Sequence, residues 1–511
     1  MLLPPGEYPT GKSTGGDDRN MQIGIWTRVA ALLLAAALSG CAGNVNPVTG
    51  KAIITPVSAE TEAYYGQKLN DKMIASYGVY KDAALTAYVG RIGQALAKNV
   101  VRKSVKYTFT ILDDDDNNAF ALPGGYVYVS RGALNFANSE AELAALLGHE
   151  IGHVDAFHFR AGERSTVSGV LSVLLRHSSQ SADDLELARK LAEKSTKSAA
   201  YSQDQEFEAD ALGIHYLALA GYDPQAMVAA LRTEEAKTTL DDGGMKGNPI
   251  AHDISALDQS HPATPDREAR AMKAAQSTVL TPGAGPQPSA DPKRDHDAYL
   301  AMIDGMTFGA DPDDGTVEGR RLVNTALGFS FDAPEDFDLW ASHGGAFGVG
   351  RNAVLIMETT EAYAGQSMVT YVQSSMMEDT AVENVRPLEI DGYRGATGLA
   401  NVGPFVIRLG AVHDRGNHLY QLLYVAHRRA FNDLDAGFLD SLKSFHPPKG
   451  DDATRKPALR LHVVTVASGD TVRSLAERMA LKEKKIEWFR VLNGLAAGDE
   501  VKVGDKVKLV E

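Results

Sequence analysis

Apolar residues recur at helical spacing around Glu60–Tyr77 and again across Ala83–Asn99. The period then changes. Lys106–Leu112 alternates like a strand and ends in the acidic turn Asp113–Asp116, and Tyr126–Ser130 is a second strand candidate. Ser139 and Glu142 stand at capping-box spacing and open a helix expected to run to about His158. Further helices are expected at 161–176, 183–198, 203–220 and 225–236, with Ala220-Gly221-Tyr222-Asp223-Pro224 turning between the last two. Residues 276–293 are rich in Pro, Gly and Ser and read as a linker. From about 316 the pattern is that of a separate α+β domain. Its expected strands are Phe329–Ala333, Ala353–Glu358, Met368–Gln373, Phe405–Val412 and His418–His427, with a closing helix near Asp433–Phe445. A second polar linker, 448–458, leads to a small last unit, and no internal repeat is visible.

The length of 511 residues is too great for one hydrophobic core and implies three or four folded units. With 44% apolar and 23% charged residues the chain is globular, not disordered. A net charge of -15 argues against a nucleic-acid partner or an anionic lipid surface. Cys41 is the one cysteine, so no internal disulfide can form, and stability must come from packing, to which a metal can add.

The place of that cysteine is informative. Residues 1–20 are polar. Then follow Met21, the positive Arg28, the apolar run Val29–Leu38 and Leu38-Ser39-Gly40-Cys41, the layout of a secretory signal. The run is shorter than the roughly 20 apolar residues that span a bilayer. Leu38-Ser39-Gly40-Cys41 resembles a bacterial lipobox, which implies acylation of Cys41; a plain signal peptide with a chance cysteine is the alternative. Ala42 in place of Asp after the cysteine implies, by the same resemblance, the outer membrane. Met21 is an alternative start. Residues 42–57 read as a tether.

His149-Glu150-Ile151-Gly152-His153 lies inside the capped helix. Histidines four apart project from one helical face, and neutral imidazoles so placed can share one Zn²⁺. Glu150 adjoins the first ligand, where its carboxylate can take a proton from a water that zinc has made more acidic. Two solvated surface histidines are the bland alternative, and Leu143, Leu146, Leu147 and Val154 oppose it by making the helix apolar. A third ligand is needed. Glu206 and Asp210 are four apart and share a face, whereas Glu208 points roughly 200° from Glu206. Glu206 is therefore the expected ligand. Asp210 is expected to accept the free N–H of a zinc-bound histidine. Glu208 reads as a solvated carboxylate, and His158 as a histidine packed near the helix end.

The combination of His149-Glu150-Ile151-Gly152-His153 with Glu206-x-x-Ala209-Asp210 resembles the gluzincin family of CAAX prenyl proteases and HtpX-like proteases. Within it the chain is most similar to the BepA-like periplasmic lipoprotein branch. Asn46-Pro47-Val48-Thr49-Gly50, the segment Asn118–Val129 and the turn Ala220–Pro224 carry the likeness further, over about residues 44–275. The resemblance implies one zinc ion per chain and peptide-bond hydrolysis. It also implies roles for His261, in Ser260-His261-Pro262, and for Arg267 six residues on. His261 would donate to the oxyanion with Arg267 assisting, or occupy the open zinc position and hold the enzyme inactive. A histidine capping the turn before Pro262 is the plain alternative, and His252 is a weaker rival. Gly124 and Gly125 allow close backbone approach, and Gly124, Gly125, Tyr126 and Val127 are expected to hold an extended substrate by strand addition; a core strand is the alternative. Two departures stand out: Tyr201-Ser202-Gln203 lacks the arginine of the family's Ser-Arg, and no tetratricopeptide repeats follow.

Residues 462–511 resemble a LysM module, on His462-Val463-Val464, Ser468-Gly469-Asp470-Thr471, Leu492-Asn493-Gly494-Leu495 and Val503-Gly504-Asp505. That implies peptidoglycan as a partner. Residues 316–447 weakly resemble the PsbP/Mog-one-like fold, on Gly328–Pro334 and Ser441–Phe445, and carry no catalytic constellation.

The expected fold is multidomain. It comprises a signal and extension (1–40), a lipidated tether (41–57) and a mainly α zincin-type domain with a small sheet (58–275). A linker (276–315), the α+β domain (316–447), a linker (448–461) and a βααβ LysM-like module (462–511) follow. Three functions compete. One is a periplasmic, lipid-anchored metalloendopeptidase acting on misfolded or stalled envelope proteins. Another is a peptidoglycan-bound, chaperone-like holder with a latent zinc domain. The third is hydrolysis of peptidoglycan cross-links.

Overall fold

Helix starts are set by short polar side chains that accept the first free backbone N–H groups. Ser58 caps α1 (Ala59–Tyr77) and Asp82 caps α2 (Ala83–Ala97). Three strands follow, β1 (Thr108–Leu112), β2 (Ala119–Leu122) and β3 (Tyr126–Ser130), then the short α3 (Arg131–Phe136). Ser139 caps α4 (Glu140–Asp155) by accepting from the Glu142 N–H at 3.1 Å. The expected capping box closes differently, because the Glu142 carboxylate accepts from the Asn138 N–H instead. Ser202 and Gln205 form a full capping box at α5 (Gln203–Ala220), which ends at the left-handed Gly221. The helices α6 (Ala226–Met245) and α7 (Pro265–Leu280) complete this part.

The computed structural model describes residues 45–53, 55, 57–158, 201–245, 261, 263–280, 292–360, 365–377, 380–414, 418–450 and 457–511. Cys41, His252 and the helices expected at 161–176 and 183–198 lie outside them. The chain divides into residues 1–56 and 57–511. In the first, Asn46 folds a turn by accepting from the Val48 and Thr49 N–H groups. Among the described residues, no helix is long and apolar enough to cross a membrane.

In the second unit β3 is central, parallel to β1 and antiparallel to β2, so β2 is an edge. Leu147 and Ile151 of α4, Leu212 and Leu217 of α5, Ile92 of α2 and Val127 of β3 share one core. The stretch 276–315, expected as a linker, holds the end of α7, then α8 (His296–Ile303) and β4 (Thr307–Phe308). Tyr299 of α8 is fully buried in the same core, its hydroxyl donating to the Leu134 carbonyl.

Two small-residue stripes bring α4 and α5 together. A Cβ added to Gly152 would stand 2.8 Å from the Ala209 oxygen, and one added to Gly213 would stand 3.0 Å from the His149 nitrogen. Glycine at these positions lets the two backbones nearly touch, which places side chains of both helices within bonding range.

The α+β domain opens with β5 (Thr316–Glu318), β6 (Arg321–Asn324) and β7 (Phe329–Asp332), a small antiparallel sheet. Next come β8 (Asp338–Ser342), β9 (Gly345–Val349), β10 (Ala353–Thr360), α9 (Met368–Ser374), β11 (Val382–Ile390), β12 (Tyr393–Val402), β13 (Phe405–His413), β14 (Leu419–His427) and α10 (Arg428–Lys443). The main sheet runs β11-β12-β13-β14-β10-β9-β8. Phe438 and Leu442 of α10 pack into one core and Met368 and Val372 of α9 into another. Met368–Gln373, expected as a strand, is therefore helical: Ser367 caps it through the Thr370 N–H and its apolar residues turn to the sheet.

The last unit is β15 (Leu459–Thr465), α11 (Val472–Arg478), α12 (Lys485–Leu492) and β16 (Lys506–Val510). Its sheet is completed by β4, in the order β16-β15-β4. Phe489, Leu492 and Leu509 lie in the core that holds Leu134 and Tyr299. The Lys508 ammonium, wholly buried, donates to the Asn135 and Ala137 carbonyls at 2.8 Å. This unit is thus built into the body that holds α2, α4 and α5 instead of hanging from a linker.

Candidate metal and peptidase site

The close approach of α4 and α5 brings His149, His153 and Glu206 together, and His261, ahead of α7, joins them. The ligand atoms of these four residues all lie within 4.8 Å of one another. His149 Nε2 is 3.1 Å from His153 Nε2 and 3.1 Å from His261 Nδ1. Glu206 Oε1 is 3.0 Å from His261 Nδ1. Ring nitrogens facing each other at this distance cannot all be joined by protons. Two or three neutral imidazoles with one carboxylate suit a divalent cation such as Zn²⁺.

The outer nitrogens of the two α4 histidines are held differently. Asp210 Oδ1 accepts from His149 Nδ1 at 2.8 Å. Arg267 in turn donates twice to Asp210 and once to the His261 carbonyl, at 2.8–2.9 Å. With a further contact to Glu206 at 3.2 Å, the guanidinium is engaged with these groups. Arg267, expected to assist at an oxyanion, is turned towards Asp210, Glu206 and the His261 carbonyl. His158 was read as a packed histidine. Its Nδ1 lies 3.0 Å from His153 Nδ1, and its Nε2 lies 3.5 Å from Glu208. Glu208, expected in solvent, thus stands behind the second α4 histidine. The chain turns at Phe157, with φ of 57°, to bring His158 back. Tyr201 stacks on His153 with centroids 3.8 Å apart, a contact with no signal in the sequence.

Until a cation binds, burial and neighbours set the charges. Burial depresses His149, yet hydrogen bonds to Asp210 and Glu206 prevail and lift it to about 10. Burial holds His153 well below its ordinary value. Burial would raise Glu206, but His261, His149 and His153 hold it far below the usual carboxylate range. Asp210 is kept low against burial by Arg267 and His149. Glu150 is 2% exposed and burial pushes its carboxyl up. Its Oε2 has no hydrogen-bond partner and its Oε1 lies 3.6 Å from His261 Nε2.

A cavity of about 1260 Å³ opens from Glu150, His149 and His261. Asn118 and Ala119 line it, while Ala121 and Leu122 line a smaller pocket beside His153 and Tyr201. The edge strand β2 therefore borders both. The substrate strand expected at Gly124–Val127 is placed differently. Gly124 and Gly125 form the β2–β3 turn with φ of 80° and 92°. Their backbones are approached by Ala63 of α1 and by Lys106. Val127 is paired on both sides, with Phe109 and Ala121, so β3 offers no free edge.

The sequence model described as peptidase family M48 matches residues 83–275. Metalloprotease YcaL of Escherichia coli is 30% identical over 224 residues, 39% of this chain and 82% of that protein. The chain belongs to peptidase family M48. This is a zinc-dependent metalloprotease family, and the four residues above form a possible site for its metal. The beta-barrel assembly-enhancing protease of Yersinia pestis is 32% identical over 219 residues, 40% of this chain. The chain spans 45% of that relative's length. Among solved structures, the cyanobacterial PsbP of Synechocystis matches 26% of this chain and 98% of its own, at 18% identity and a TM-score of 0.20.

Proposed function

We propose that the protein is a zinc-dependent endopeptidase that cleaves unfolded or misassembled proteins of the bacterial envelope. The observation that carries this reading is one buried constellation: His149, His153 and Glu206 converge, and Glu150 beside them keeps Oε2 unpartnered. His149, His153 and Glu206 would hold the metal, with Asp210 fixing the His149 tautomer. A zinc ion there supplies Lewis-acid chemistry, polarising a carbonyl and making water more acidic. Glu150 takes a proton at Oε2 from the attacking water and returns it to the leaving nitrogen. The edge strand β2 receives the substrate backbone by strand addition. His261 is near enough to Glu150 to donate to the developing oxyanion. Its Nδ1 within the ligand cluster also favours a latent form, in which this imidazole fills a metal position until it is displaced.

The name of the Yersinia relative supports an envelope substrate. Acylation of Cys41, outer-membrane tethering in the periplasm, and peptidoglycan binding by a LysM-like last unit belong to the same reading. The α+β domain, with its PsbP/Mog-one-like pattern, serves as a spacer or binding surface.

The test is zinc-dependent cleavage of casein by a soluble form beginning after Cys41, with Glu150→Gln and His261→Ala beside it. Loss of at least about 10²-fold in Glu150→Gln, with one zinc still bound, is expected from removal of the proton acceptor. Faster cleavage by His261→Ala identifies the latent form. Bound zinc with no cleavage by any of the three returns the protein to the holder reading.

A further inference from the structure

The cavity beside the His149, His153, Glu206 and His261 cluster is bounded by three parts of the molecule. The peptidase body supplies Glu150, Glu234 and the Asp113–Asp116 turn, the α+β domain Trp340 and Glu358, and the last unit Leu459 and Trp488. Its charge is one-sided. Asp114, Asp115, Glu234 and Glu358 line it, and none forms an ion pair among the described residues. Direct pairing is confined to their neighbours: Asp113 is paired with Arg131 at 2.8 Å and Asp314 with the His343 imidazole at 3.0 Å, while Arg131 and Lys237 act on Asp115 from a distance. Lys237 and Arg267 are the lysine and arginine among the lining residues, and Arg267 is bound to Asp210 and Glu206.

Carboxylates in excess over their cations repel one another, and a further cation brought in from outside relieves them. Burial and then Asp116 push Asp114 up to about 7, and burial pushes Glu234 up to about 6. The cavity is marked as a ligand site independently of this charge. Glu150, 2% exposed, lines it with an unpartnered Oε2 beside the convergent metal ligands. An aromatic surface lies in the same space: Trp340 is 38% exposed although large and apolar, and Phe347 stands 6.2 Å from it.

We propose that this cleft selects extended polypeptide segments that carry lysine or arginine beside apolar residues, the cationic groups seated against Asp114, Asp115, Glu234 and Glu358. This deepens the endopeptidase reading and rests on it for the nature of the ligand. The basic side chains lie across the acidic wall while an apolar neighbour packs on the Trp340 ring. An acidic segment meets repulsion along the same wall, so the selection works by exclusion as much as by attraction.

The experiment measures binding, so that it is decided separately from cleavage. Fluorescent peptides of one apolar sequence, with two positions occupied by Lys, Gln or Glu, are titrated onto the full Glu150→Gln chain loaded with zinc and followed by anisotropy. The Lys peptide is expected to bind about tenfold or more tighter than the Glu peptide, the gap narrowing as salt is raised. In a further Asp114→Asn, Asp115→Asn, Glu358→Gln variant the ratio is expected to fall to about twofold or less. Equal binding of the Lys and Glu peptides, no binding of either, or an unchanged ratio in the triple variant would overturn the inference. Casein cleavage by the parent protein, scored on its own, decides the endopeptidase reading. Cleavage without charge preference removes only the selectivity, and charge preference without cleavage leaves an acidic peptide-binding cleft.

Discussion

The α+β domain and the last unit look alike in the sequence, each following a polar stretch, yet they relate differently to the peptidase body. The first closes its own cores: Phe329, Phe331 and Phe445 stack between its small sheet and α10, and Phe438 packs on Tyr424. The second has two strands and two short helices, and its apolar residues join the peptidase core. Trp488 lies between Phe136 and Phe308, 6.2 Å from each ring, and β15 takes β4 as a third strand. A unit of this size buries too little surface to be well stabilised alone, so docking is the way it gains a core. A linker in the sequence marks where the chain is polar, not where cooperativity ends.

The sharpest break of this contrast is removal of residues 457–511. That exposes Leu134, Tyr299 and Phe308, and the peptidase body is expected to lose its cooperative thermal transition in calorimetry. A subtler form compares two buried phenylalanines. Phe489→Ala should lower the stability of the peptidase transition by about 3–5 kcal/mol, while Phe438→Ala lowers a separate α+β transition by a similar amount. One shared transition that moves in both variants would show that the two regions unfold together. Withdrawing zinc comes next. Metal at a thousandfold excess over its Kd contributes about 4 kcal/mol; that should be lost from the transition containing α4 and α5, with the α+β transition unmoved.

A pH slope tests the same docking. Burial pushes the Lys508 ammonium down to about 7. Its folded value thus lies below the unfolded one, so between about 7 and about 10 the unfolded chain binds more protons, and stability rises with pH. Glu142 beside it is raised by burial, so its contribution falls as pH climbs from the ordinary carboxylate value. Denaturant melts of the peptidase body from pH 7 to 10 should show the rise, and Lys508→Met should flatten it.

Much of the site was legible because it sits on helices. The step of four from His149 to His153 and from Glu206 to Asp210 follows from 3.6 residues per turn, and each pair emerges on one face. The turning away of Glu208 from Glu206 was legible for the same reason. What Glu208 meets on its own side was not, since His158 reaches it only through a left-handed turn at Phe157. The strand candidates were less secure. The segment Gly124–Val127 has the right residues for a substrate edge, but edge and centre differ only in which neighbours pair. Met368–Gln373 has strand-like composition and became a helix because a sheet face needed covering.

The sequence by itself determined the ligand types, the helical faces that carry them, and the polar stretches between units. Those are local consequences of backbone geometry, side-chain size and capping. Only the tertiary structure decided that His261 and Arg267 reach the cluster, that β2 and not β3 is the edge, and that the last unit belongs to the peptidase core. Each of these depends on contacts between residues far apart in the chain, and no local pattern records which distant surface will be buried against which.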